Sequence, residues 1–179
     1  MTTSEALTFL QQQQPLPNDE VLAQNLVIIE TYDEVIKHFA AHPDPQCVAL
    51  FLNSFGGRDG LCVYQLVENA FYPLDYDFVV QALRQQLDKA DALPLSVLYW
   101  NVNLCTPFVD VTLREPLARL ITHADVDVRE AAITALSLVN DEISCDILTK
   151  HLLAETDESA VEFLLEMLSE MDGQGPPPR

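Results

Sequence analysis

Basic side chains are scarce in this chain. Its 179 residues hold 9 Lys and Arg against 28 Asp and Glu, a formal net charge of −19. A surface that negative repels phosphate backbones and anionic lipid, so neither nucleic acid nor a membrane surface is expected as a direct partner. Long apolar runs are also missing. The longest, such as residues 48–52, fall far short of the roughly 18–20 residues needed to span a bilayer. The opening stretch MTTSEALTFL has neither a positive n-region nor a useful apolar h-region. No secretory signal is read, and a cytoplasmic location is expected.

Cysteine is sparse and scattered: Cys47, Cys62, Cys105 and Cys145 form no C-x-x-C pair. That spacing argues against zinc or a dithiol redox site, and buried, reduced thiols are expected. The histidines His38, His42, His123 and His151 show no metal-ligand spacing, so neither metal nor cofactor is expected. Strand signals are nearly absent. No stretch keeps a period of two, and the one hairpin-type dipeptide, Asp59-Gly60, sits in the cluster Gly56-Gly57-Arg58-Asp59-Gly60. That cluster lacks both the Gly-Lys-Ser/Thr ending of a P-loop and a G-x-G-x-x-G spacing, and it reads as a flexible turn.

What remains is helical. A hydrophobic fraction of 49% supports a packed core. Apolar residues recur at three and four, giving helical segments over 20–29, 33–41, 61–71 and 75–87. Residues 1–18, with the run QQQQPLPN, are expected to be flexible. A single helical-repeat domain is expected over 19–172, followed by a disordered proline-rich tail over 173–179.

Internal repetition is the strongest signal. A shift of 32 lays 123–136 over 155–168: Asp125 falls on Asp157, Val128 on Ala160, Glu130 on Glu162 and Leu136 on Leu168. Weaker copies start at His42 and Asp91. Each unit reads as two amphipathic helices joined by a turn whose Asp caps the second helix. One such hairpin cannot bury its own apolar stripe, so copies must stack. The stretch L-A-R-L-I-T-H-A-D-V-D-V-R-E-A-A-I-T-A-L, residues 117–136, resembles a HEAT-type helical repeat, with Asp in the turn and Val128-Arg129 opening the second helix. The resemblance implies an all-α, irregular HEAT-like solenoid of stacked antiparallel helix pairs. It also implies that Arg129 braces the turn of an adjacent repeat.

Aligned non-core positions of the second helices give a candidate partner-binding face. Trp100 and Asn103 come from one copy, Glu130 from the next, and Glu162 and Glu166 from the last, with Asp125, Asp127, Asp157 and Glu158 on one rim. No catalytic constellation stands out, and the absence of any Lys/Arg cluster argues against a DNA-acting enzyme of the repeat-glycosylase kind. Size, charge and repeat type together are similar to immunity proteins of bacterial contact-dependent growth inhibition and other polymorphic-toxin systems. That likeness implies a protein-binding inhibitor whose partner is a basic toxin domain, a nuclease foremost, with its cleft occluded by acids. The competing reading is a non-enzymatic HEAT-like scaffold or adaptor whose acidity serves solubility.

Overall fold

The structure, a computed structural model, describes residues 1–173. Among the described residues it holds eleven α-helices, three short 3-10 segments and no strand. The chain divides into two compact units, Met1–Leu104 and Cys105–Arg179, where one domain over 19–172 was expected.

The first unit contains α1 (Thr3–Gln12), α2 (Asp19–Gln24), α3 (Leu26–Ala41), α4 (Gln46–Phe51), α5 (Glu68–Phe71), α6 (Tyr76–Leu87) and α7 (Leu95–Asn103). Residues 1–18 are not the flexible segment expected from their prolines and glutamines. Thr2 caps α1 through a capping box, its hydroxyl accepting from the Glu5 amide while the Glu5 carboxylate accepts from the Thr2 amide. Ala6 and Leu10, one turn apart, are fully buried, and α1 packs on α3 and α4. Leu16, between the two prolines, is also buried, and its amide donates to the Ser54 carbonyl at 2.8 Å. Three apolar anchors at the right spacing outweigh a polar composition around them. The break expected between 29 and 33 falls instead at Asn25, and α3 runs on unbroken through Thr31 and Tyr32.

The core of this unit is aromatic. Tyr32 meets Phe51 and Tyr64 edge-on at 5.6 and 5.9 Å, and Phe51 meets Phe39 and Phe71 in the same manner. The buried Tyr32 hydroxyl shares a 2.6 Å hydrogen bond with Ser54 Oγ, and burial pushes its phenol pKa up.

The glycine cluster is tied down rather than loose. The Asp19 carboxylate, at the start of α2, accepts from the amides of Arg58 (2.9 Å), Asp59 (3.3 Å) and Gly60 (3.1 Å). Gly56 passes so close to Leu16 that a Cβ there would run into the Leu16 carbonyl. Gly60, Leu61 and Cys62 then follow with φ of 56°, 54° and 70°. Left-handed backbone at two non-glycine residues costs on the order of 1–3 kcal/mol each and persists only where the surroundings fix it. The Asp19 clasp, together with the Tyr64 hydroxyl accepting from the Gly56 amide at 3.1 Å, does the fixing.

The second unit contains α8 (Arg114–Leu120), α9 (Val126–Val139), α10 (Glu142–Ala154) and α11 (Glu158–Gly173). Here α8 packs on α9, α9 on α10 and α11, and α10 on α11. The small residues Ala132 and Ala135 of α9 are buried, as close helix approach requires. Asp125, Asp141 and Asp157 cap α9, α10 and α11 by accepting from the amides of Val128, Ser144 and Ala160. Asn140 ends α9 in the left-handed conformation at φ 45°. Arg114 forms an ion pair with the Asp141 cap, both half-buried. The expected tail begins at Gly173, which is the last residue of α11. Its remainder, 174–179, lies outside the described residues.

Two outcomes test the first unit. Leu10→Ala should destabilise it by about 2–5 kcal/mol in chemical denaturation, as a buried leucine does; a flexible 1–18 segment would show no change. Asp19→Ala should accelerate hydrogen exchange at the amides of Arg58, Asp59 and Gly60, leaving α6 amides at their original rates.

Candidate functional site

The acids singled out by the repeat overlay all lie in the second unit, and the structure sorts them by what they do. Asp125 and Asp157 are N-caps, each spending a carboxylate oxygen on a backbone amide at 3.1 and 3.0 Å. Asp127 and Glu158 stand exposed in the first turns of α9 and α11, where the positive end of the helix dipole favours them. Glu130, on α9, and Glu162 and Glu166, on α11, are exposed beyond those termini. Among the described residues, no cation forms an ion pair with any of these three. Since α9 and α11 pack directly on one another, with Ser137 Oγ 3.8 Å from Met167 Sδ, these carboxylates occupy neighbouring helices of one unit. Fifteen acids against four bases over 105–172 leave a net −11 there.

The turn before α9 is closely braced. Arg129 donates through Nη1 to the carbonyls of His123 (2.9 Å) and Ala124 (3.1 Å). Its hydrogen bonds therefore go to the turn of its own helix pair, not to an adjacent one as the family resemblance implied. His123 Nδ1 accepts from the Asp125 amide at 3.1 Å. Its ring thus serves the helix that follows, rather than the orphan carbonyls of the helix before. His42 stands at the C-terminal end of α3, its Nδ1 3.3 Å from the His38 carbonyl.

Glu155, at the C-terminus of α10, has its carboxyl held below the ordinary value of 4.5. The amides of Asp157 and Thr156 are the main cause, donating at 2.9 and 2.7 Å, and the charges of His151 and Arg129 add to it.

Trp100 and Asn103 belong to the first unit. Trp100 is half-buried and engaged by its own unit: its indole stacks on Phe55 at 5.8 Å and meets Tyr64 edge-on at 5.6 Å. Its Nε1 donates to the Arg58 carbonyl at 2.8 Å. That geometry makes Trp100 a brace for the clasped 56–60 loop. Asn103 donates back to the Tyr99 carbonyl one turn earlier, at 2.8 Å. Sequence reasoning missed the Asp19 clasp because its partners lie 39–41 positions away, a separation that no local pattern signals.

Cysteine placement departs partly from expectation. Cys47 and Cys105 are buried, with the Cys47 thiol pushed up to about 12 by desolvation, but Cys62 is exposed and Cys145 half-buried. Among the described residues, no group of three or more His, Cys, Asp or Glu side chains is gathered to hold a metal ion. Also among them, no helix is long and apolar enough to cross a membrane. No family model, curated protein or solved structure matches the chain.

The lowered Glu155 value fixes the sign of a pH effect. A carboxyl whose folded pKa lies below its unfolded one stabilises the fold above the unfolded value, and that contribution is lost as pH falls through the folded value. The stability gap between wild type and Glu155→Gln should therefore be widest above the ordinary carboxyl value of 4.5 and narrow as pH falls below it, read from urea melts. A gap independent of pH would remove the charge from the explanation.

Proposed function

We propose that this chain is a non-enzymatic, protein-binding inhibitor of the immunity-protein kind, acting in the cytoplasm on a basic toxin domain, a nuclease foremost. It presents an irregular HEAT-like stack of helix pairs. Carboxylates of that stack enter the toxin's cationic cleft, pair with its Lys, Arg or His side chains and exclude its substrate. The observation that carries this reading is the set Glu130, Glu162 and Glu166. These exposed acids sit on two helices packed together, and neither a cap nor an ion pair among the described residues consumes them. Uncompensated negative potential of this kind speeds encounter with a cationic partner, most strongly at low salt.

One observation favours the adaptor alternative. Two of the seven predicted acids are helix caps, and a structural share of that size is what acidity serving solubility and folding would produce.

The deciding experiment co-expresses the product of the neighbouring gene with this chain and scores protection of the cells, together with association kinetics of the two proteins at two salt concentrations. The inhibitor reading expects Glu130→Lys, Glu162→Lys and Glu166→Lys combined to slow association tenfold or more at low salt and to abolish protection. The adaptor reading expects kinetics indifferent to the reversals and no protection by the wild-type chain.

A further inference from the structure

The dipeptide Asp59-Gly60 carries a chemistry of its own. The backbone nitrogen after an aspartate can attack that residue's side-chain carboxyl, and glycine eases the approach because it has no Cβ. A bond forms between the Gly60 nitrogen and Asp59 Cγ, one Cγ–O bond breaks, and the amide proton leaves with the departing hydroxyl as water. The product is a five-membered succinimide. Water then adds back at either of its two carbonyls. Opening at the main-chain carbonyl leaves Gly60 joined through Cγ, an isoaspartate with one extra methylene in the chain. No oxidant, reductant or further reactant enters. A flexible turn, which is what the glycine cluster reads as from sequence, would let this reaction run.

The fold works against it at each reacting group. The Gly60 amide, which supplies the attacking nitrogen, donates to Asp19 Oδ1 at 3.1 Å, and the Asp59 amide donates to Asp19 Oδ2 at 3.3 Å. Gly60 is buried, and a Cβ built on it would lie 2.5 Å from the Tyr64 ring, so there is little room to swing that way. The Asp59 carboxylate is engaged as well, accepting from the Cys62 amide at 3.4 Å with Cys62 Sγ at 3.9 Å.

The product fits the site worse than the reactant does. A succinimide nitrogen bears no hydrogen. Cyclisation would therefore strip the half-buried Asp19 carboxylate of a charge-assisted hydrogen bond that it now has. The reaction has to wait for the Asp19 clasp to open, and its rate follows the fraction of molecules in which the clasp is open.

We propose that Asp59-Gly60 is a latent self-modification site, passing through a succinimide to isoaspartate, and that Asp19 is the residue that keeps it closed. This goes beyond the inhibitor reading and does not depend on it.

The test incubates the full-length chain in mildly acidic buffer at physiological temperature, beside a synthetic peptide of residues 55–64. Isoaspartate is counted by enzymatic methylation and assigned to residue 59 by electron-transfer fragmentation, which tells the two linkages apart. Wild type should accumulate it about tenfold or more slowly than the peptide, because three amide–carboxylate bonds must first open. Asp19→Ala should bring the rate to within about threefold of the peptide. Trp100→Phe removes a different hold on the loop, the bond to the Arg58 carbonyl, and should stay as slow as wild type. Circular dichroism checks the helices of each variant, and Asp19→Asn, which trades one accepting oxygen for an amide, carries the comparison if the alanine variant loses them. Wild type as fast as the peptide, position-19 variants as slow as wild type, or Trp100→Phe as fast as Asp19→Ala would each overturn the proposal.

Discussion

With three carboxylates for every cation, this protein cannot neutralise its charge by ion pairing. Its folding depends on a different acceptor–donor match, in which backbone amides take the carboxylates in. Asp75, Asp110, Asp125, Asp141 and Asp157 cap helices or 3-10 turns. Glu5 and Glu155 close on amides at helix ends, and Asp19 gathers three amides of the 58–60 loop. Each helix start needs acceptors for its orphan N–H groups and prefers negative charge, so capping turns an electrostatic liability into a structural asset.

That use of carboxylates also defines which acids remain available for function. In the second unit the caps consume Asp125 and Asp157, and the first-turn positions suit Asp127 and Glu158 locally. Glu130, Glu162 and Glu166 have no such local employment. The inhibitor reading therefore narrows from a general acidic face to three side chains on two adjoining helices. Trp100 leaves that face as a candidate anchor, because its indole N–H and both neighbouring rings are engaged in holding the glycine loop.

Helical periodicity, the Asp-capped turns and the 32-residue repeat were legible in the sequence, because each is a local consequence of residue spacing and capping chemistry. So was the position of α6, found at Tyr76–Leu87 against an expected 75–87. Local spacing could not say which apolar residues find partners. Leu10 and Leu16 sit in a polar, proline-bearing stretch that reads as loose, yet both are buried. The same blindness covers Gly56–Gly60, hydrogen-bonded by Asp19, Tyr64 and Trp100, which arrive from elsewhere in the chain. Exposure of Tyr72, Tyr76 and Phe78 belongs to this class too, since a ring's burial is decided by what the rest of the chain brings against it. Residue spacing and composition by themselves determined that the chain is helical and acidic; the tertiary structure alone decided which carboxylates and rings are spent on the fold, because that depends on long-range contacts whose partners no local pattern names.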